Sequence, residues 1–373
     1  KGNVKYTVPR VSRALELYGV QFDTFRHEYT KEGKLYNAAS HREFFELCER
    51  RGLVIPAGRS YIGTPLEQIR TRYDSLHEIL AAERLAEVVM ENMTPEQCKD
   101  FAEQFFIAYC NAQDIPFNRA AGCYFLTALA GRALASEYNP CKADIVLALV
   151  GSQGCGKTTL TKELCLRAGH WNQISFAADD LENYRAIQGK TIVEIPELTG
   201  YSKKELTAIK QFITADTDYY RELYQAEVRA HVRRCVFVIT TNEHNFLRDR
   251  TGERRYCPVE VGQIEHDLVL QDLQLIWGVG LALYARHGVM YHGVEALQAE
   301  HNEQYKVPDP WEEKIGDWLR TEAPSTFRSC DVLDKALGLP STSTIAQGGK
   351  VATILHMLGY ESRMRKINEV TER

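Results

Sequence analysis

Three short apolar runs stand out along the chain, Ile145 to Val150, Thr191 to Ile195 and Cys235 to Ile239, with helical patterns between them. Runs of that length without polar alternation fit strands buried on both faces, as in a parallel sheet covered by helices. An α/β core is predicted. Upstream, residues 1 to about 75 mix short helical patterns with turns at Gly33 and from Gly52 to Gly63. Leu76, Ile79, Leu80 and Ala86 then share a helical face expected to end near Met93. Thr94-Pro95-Glu96-Gln97 is a helix start, with threonine as N-cap, proline in the first turn and glutamine at the capping-box position. That helix should bury Phe101, Phe105 and Tyr109, and a further helix is predicted from Asn118 to Tyr138.

Beyond the third apolar run, residues 264 to 305 read as helices, and Val307-Pro308-Asp309-Pro310 as a linker. Trp311, Ile315, Trp318 and Leu319 form a helical stripe; further helices are expected from Cys330 to Leu337, stopped by Gly338, and from Thr344 to Leu358, stopped by Gly359. A basic, strand-like segment from Tyr360 to Asn368 follows. Three helices and a strand in this order suggest a winged-helix-like domain over 307–373, with Arg363, Arg365 and Lys366 meeting DNA phosphates. A winged helix used only for packing or protein contacts is the alternative.

Composition removes some alternatives. The longest apolar runs are about six residues, far below the roughly 20 that a spanning helix requires, so no membrane is expected. The ten cysteines form neither a Cys-x-x-Cys pair nor a Cys/His set at zinc spacing, which reads as thiols of a reducing cytoplasm. A net charge of −5 gives no global bias toward nucleic acid, although a groove or ring can still be locally basic. The chain opens on Lys1 without a charged-then-apolar leader, as expected of a fragment rather than a secreted precursor.

The candidate chemistry centres on Gly151-Ser152-Gln153-Gly154-Cys155-Gly156-Lys157-Thr158, with Thr159 opening the next helix. Strand before and helix after is the context of a phosphate-binding loop. Glycines let backbone N–H groups wrap a phosphate, Lys157 reaches the β- and γ-phosphates, and the Thr158 hydroxyl holds Mg²⁺. The following helix is expected from Thr159 to Ala168, closed by Gly169. Hydrolysis needs a carboxylate for the metal and another to orient water. Glu194 and Glu197, at the end of the second run, are the candidates, and their spacing leaves the roles open. Asn242, at the tip of the third run, is a candidate γ-phosphate sensor.

Ser202-Lys203-Lys204-Glu205 starts a helix with Leu206, Ile209, Phe212 and Ile213 buried and Lys203, Lys204 and Lys210 largely outside. The next segment carries Asp218, Tyr219, Tyr220, Arg221 and Tyr224 and reads as a loop or hairpin. Bases and aromatics together suit single-stranded DNA, with Lys210 as a further contact; tyrosines packed inward and Arg221 paired with Asp218 fit equally well. Four arginines fall between Arg248 and Arg255. Arg254 and Arg255 are candidates for an arginine finger supplied to a neighbouring subunit.

These motifs, with Asn139-Pro140-Cys141-Lys142 before the first run, resemble the virulence-associated protein E family over about residues 119 to 262. Its members are P-loop ATPases of phages, plasmids and chromosomal islands, similar to superfamily 3 helicases. The resemblance implies an AAA+-like parallel-sheet core; with the helices of 264 to 305 as a lid or collar it is expected over 119–306, behind a mainly helical region over 1–118. It further implies ATP and Mg²⁺ as cofactors and a homo-oligomeric, hexameric ring acting on single-stranded or forked DNA. The function expected is an ATP-dependent helicase or translocase in replication of a mobile element; the alternative is an ATP-switched initiator or remodeller that does not unwind. The family often carries a primase-like region, and no primase motif occurs in residues 1 to 75.

Overall fold

The computed structural model describes residues 5–56, 60–176, 180–197, 203–221, 228–247, 253–307, 309–322, 326–340, 345–363, 365–367 and 370–372. The chain divides into two compact units, Lys1–Tyr305 and Lys306–Arg373.

After a first helix, Val8–Leu17, the first unit has strands that the sequence pattern does not announce. β1 (Val20–Asp23), β2 (Glu28–Lys31), β3 (Lys34–Leu35) and β4 (Arg72–Tyr73) form a small mixed sheet in the order β3-β2-β1-β4. Its core includes Val11, Leu15, Val20, Phe44 and Ile62. Helices still dominate 1–118; the sheet is the unannounced part, because strands of two to four residues are too short to display a period of two. The helix expected from Leu76 to Met93 is two helices, Ser75–Ala82 and Leu85–Asn92, broken where Arg84 takes a left-handed φ of 47°.

Helices Pro95–Cys110 and Pro116–Leu134 follow, the first with the predicted capping box at Thr94 and Gln97. They pack closely because residue 122 is glycine; a Cβ there would fall 2.0 Å from the Ala102 carbonyl oxygen. Helix Pro116–Leu134 runs straight through the boundary expected at residue 118, and its buried face belongs to the same hydrophobic cluster as the central sheet.

That sheet contains β5 (Val146–Val150), β6 (Trp171–Gln173) and β7 (Ile192–Pro196). A separate antiparallel hairpin, β8 (Thr217–Tyr220) and β9 (Arg229–Val232), precedes β10 (Val236–Thr241) and β11 (Tyr256–Glu260). The central order is β11-β5-β10-β7-β6, and every pairing is parallel. Two cores explain the unbroken apolar runs. Leu147 and Leu149 face the cluster built with the helices of 76–134 and 273–287, while Val146, Ala148 and Val150 face the cluster holding Ile209 and Ile213. Both faces of each strand are therefore apolar.

The second unit consists of helices Pro310–Thr321, Ser329–Lys335 and Ile345–Met357. The antiparallel pair β12 (Arg365–Ile367) and β13 (Val370–Glu372) follows. Ile315, Trp318, Val332, Leu333, Val351 and Ile354 form its core. Among the described residues, no helix is long and apolar enough to cross a membrane.

Candidate active site

Ligands of open α/β sheets gather at the C-terminal ends of the strands, and strand order decides which ends meet here. β10 lies between β5 and β7, with Thr241 opposite Val150 and Thr240 opposite Pro196. The loop leaving β5, the tip of β7 and the residues after β10 are therefore neighbours. Gly151 N–H donates to the Thr241 carbonyl at 3.2 Å, joining the loop to β10. Gly154 and Gly156 have φ of 86° and 100°, left-handed backbone that side chains resist. Helix Lys157–Glu163 begins immediately afterwards. It is shorter than the expected span to Ala168, because Leu164, Cys165 and Leu166 are consecutively buried without helical spacing; Gly169 sits in a 3-10 turn instead of capping this helix.

Lys157 Nζ donates to the carbonyls of Gly151 and Ser152, both at 2.8 Å, and to Asn242 Oδ1 at 2.9 Å. The ammonium group thereby ties the loop to the tip of β10. Glu194 is 1% exposed inside β7, where an unpartnered carboxylate would be costly. Its Oε1 accepts from Thr158 Oγ1 and Thr240 Oγ1, each at 2.6 Å, and its Oε2 accepts from Thr161 Oγ1 at 3.1 Å. Three hydroxyls hold it. Glu197 differs in every respect: it is exposed, just past β7, with a left-handed φ of 41° and its N–H donated to the Thr240 carbonyl at 3.1 Å.

The donor set is of the kind that hard cations such as Mg²⁺ take. A hydroxyl and a carboxylate in direct contact are hard oxygen ligands, and Mg²⁺ is commonly held by one or two such groups plus phosphate oxygens and water. No cluster of three or more His, Cys, Asp or Glu able to bind a metal occurs among the described residues.

Several contributors escaped the sequence reading. Thr161 lies three residues after Thr158 on the same helix, a spacing that brings both hydroxyls to one face. Thr240 is simply the strand residue before the tip. His266 had no local signal: its Nδ1 lies 2.6 Å from Glu163 Oε2, and its Nε2 lies where a Cβ on Gly156 would come within 2.1 Å.

Residues 92–307 match the virulence-associated protein E-like domain. The chain belongs to this family. No curated protein matches it in sequence. Among solved structures, the chain is similar to the apo NrS-1 C-terminal region (305-718), with 13% identity, 98% of each chain covered and a TM-score of 0.53. A second form of the NrS-1 C-terminal region (305-718) gives 12% identity, 97% and 98% coverage and a TM-score of 0.50. At such identities the likeness concerns the fold.

In this virulence-associated protein E-like chain the two candidate finger arginines stand away from the loop. Arg254 is exposed and Arg255 half-buried in the 3-10 turn that precedes β11. Tyr256 pairs with Val146, and Glu260 with Val150, so the arginines lie at the entry of the strands and the loop at their exit. A strand length of roughly 15 Å separates those two edges. The other two arginines of the group, Arg248 and Arg250, lie outside the described residues.

The expected hairpin is present as β8 and β9, and burial sets Tyr220 apart from the other expected DNA residues on it. Tyr219 is 71% exposed and Arg221 is exposed, whereas Tyr220 is buried, stacked on His231 at 3.9 Å and on Tyr184 at 5.3 Å. Alternation along β8 puts Asp218 and Tyr220 on the inner face together. Asp218 pairs not with Arg221 but with buried Arg233, whose Nη2 and Nε lie 2.6 and 2.7 Å from its oxygens. Lys210 is likewise buried, at 5% exposure. It stands four residues after Leu206 and three before Ile213, on the same helical face as both. Tyr224 lies outside the described residues. Arg363 is exposed and pairs with Glu361 at 3.0 Å; Arg365 and Lys366 belong to β12.

Proposed function

We propose that the chain is an ATP-hydrolysing motor that moves on or unwinds DNA during replication of a phage or related mobile element. The observation carrying this reading is the contact of Glu194 Oε1 with Thr158 Oγ1 at 2.6 Å, beside the Lys157 to Asn242 bond at 2.9 Å. A glycine-rich loop, a buried carboxylate and a strand-tip amide meet there.

In this reading the backbone N–H groups of residues 151–159 cradle the phosphates of ATP at the N-terminus of helix Lys157–Glu163. Lys157 exchanges loop carbonyls for β- and γ-phosphate oxygens. Thr158 and Glu194 hold Mg²⁺, which when bound neutralises charge developing on the transferred phosphoryl group. Glu197, at the exposed tip, orients the attacking water and accepts its proton, while Asn242 holds Lys157 and senses the γ-phosphate. Arg254 or Arg255 completes the site of the adjacent subunit, since both stand at the other edge of their own sheet. A hexameric ring brings one such edge to each loop.

DNA enters through the hairpin, where Tyr219 offers a stacking face and Arg221 a phosphate contact. The second unit, three helices and an antiparallel pair, is read as a winged-helix-like module with Arg363, Arg365 and Lys366 at phosphates. The test is magnesium-dependent ATP hydrolysis with and without single-stranded DNA. Turnover stimulated by DNA and lost in Lys157→Ala supports the reading; no hydrolysis in the presence of Mg²⁺ and DNA overturns it.

A further inference from the structure

A cavity of about 360 Å³ opens beside the loop, lined in part by Gln113, Ile115, Asn118, Val261, His301 and Gln304. Val261 is the shared wall. A Cβ on Gly151 would fall 2.7 Å from its carbonyl oxygen, so Val261 borders both the loop and the cavity.

Asn118 is the group in this cavity without an evident structural purpose for all its atoms. It is 3% exposed, and its Nδ2 donates to the Gln113 carbonyl at 2.8 Å. Facing a carbonyl, that atom must be the amide nitrogen, which settles the orientation of the side chain. The atom left over is Oδ1, buried and without a hydrogen-bond partner among the described residues. A buried acceptor in this state is costly, and the group that would satisfy it is a hydrogen-bond donor, N–H or O–H.

The surroundings narrow the class of ligand. Glu260 on the rim, together with the Asn118 oxygen, presents acceptors, which disfavours an anion even though helix Pro116–Leu134 begins here. His301 is held below the usual histidine range, chiefly by burial, which keeps its ring neutral and able to pack against a flat apolar surface. Its ring stacks on Phe117 at 3.6 Å. Carboxamides and an aromatic wall suit a heterocyclic base bearing an exocyclic amine.

We propose that this cavity receives the base of the nucleoside triphosphate and that Asn118 Oδ1 accepts from the 6-amino group of adenine, which selects ATP over nucleotides with a 6-oxo base. The proposal rests on the loop binding the triphosphate. Equilibrium binding of ATP, ITP and inorganic tripolyphosphate, each with Mg²⁺, separates the two ideas; ITP differs from ATP at the base by an oxo group in place of the amine.

Wild type should bind ATP about tenfold or more tightly over ITP. Asn118→Ala should bring the ratio near one without changing tripolyphosphate affinity. Ile115→Trp, which fills the cavity without touching the Asn118 bond to Gln113, should weaken ATP and ITP alike by about tenfold and spare tripolyphosphate. Equal wild-type affinity for ATP and ITP overturns the amine assignment, and unchanged ATP binding in Ile115→Trp overturns the cavity as the base site. Failure of wild type to bind either ATP or tripolyphosphate overturns the phosphate-loop reading itself.

Discussion

Asn242 Oδ1 accepts a hydrogen bond from Lys157 Nζ at 2.9 Å, across 85 positions of sequence. The bond links the residue that would touch the γ-phosphate to the tip of the strand lying between the loop and the acidic strand. If Asn242 positions Lys157 and senses the γ-phosphate, its loss should be felt more in turnover than in binding. Asn242→Ala is expected to lower kcat about 100-fold, as the loss of one preorganised polar group does, while nucleotide Kd changes by less than threefold. Single-turnover kinetics beside equilibrium binding checks this.

The two carboxylates should separate cleanly. Glu194 is enclosed by three hydroxyls and is the proposed metal ligand; Glu197 is exposed and strained. Glu194→Gln should weaken Mg²⁺-dependent nucleotide binding and raise the Mg²⁺ concentration needed for turnover. Glu197→Gln should retain binding and lose about 100-fold or more in kcat. A Mg²⁺ titration of both variants tells them apart, and the reverse pattern exchanges their roles.

The arginines at the far edge of the sheet predict shared sites. Subunits carrying Arg254→Ala and Arg255→Ala together should be inactive alone, as should Lys157→Ala subunits. Mixed, they should recover a measurable fraction of wild-type ATPase activity, because an intact loop can then meet an intact arginine pair. No recovery at any mixing ratio means that each subunit works alone.

The hairpin is anchored by a buried ion pair, Asp218 with Arg233. Breaking such a pair from one side leaves a buried charge and costs about 3–5 kcal/mol. Asp218→Asn should therefore lower the urea midpoint measurably, whereas Tyr219→Ala, at an exposed position, should leave stability unchanged and weaken binding of single-stranded DNA.

Histidine burial sets an acid limit on stability. His170 is 1% exposed, packed edge-to-face against Phe25, and pushed down from 6.5 to about 4, first by burial and then by Arg26, Arg167 and Lys190. The unfolded chain protonates this ring near 6.5 and the folded chain only near 4. Its contribution is thus complete above pH 6.5 and is lost as pH falls toward 4, up to roughly 3 kcal/mol. Urea unfolding at pH 7 and pH 5 should show the decline, and His170→Phe should flatten it.

Much of the site was legible because its signals are local. Gly151 to Thr158 is one continuous segment between a strand and a helix, and Glu194 is conspicuous as a charge within an apolar run. Asn242 was legible for the same reason, as a polar residue at a strand end. What depends on tertiary neighbours was not. His266 reaches Gly156 only because β11 lies beside β5. Lys210 and Tyr220 read as surface residues by chemical type, yet the periodicity of their own elements carries them inward. The N-terminal sheet went unread because its strands are short and owe their pairing to one another, not to an alternating pattern.

Strand separation on a forked DNA substrate, followed alongside ATP hydrolysis in wild type and Lys157→Ala, tests the central claim most directly. The account predicts that wild type separates the strands only with ATP and Mg²⁺, that DNA accelerates hydrolysis, and that both activities vanish in Lys157→Ala. Sustained hydrolysis with no strand separation and no movement along any forked or single-stranded substrate would contradict it.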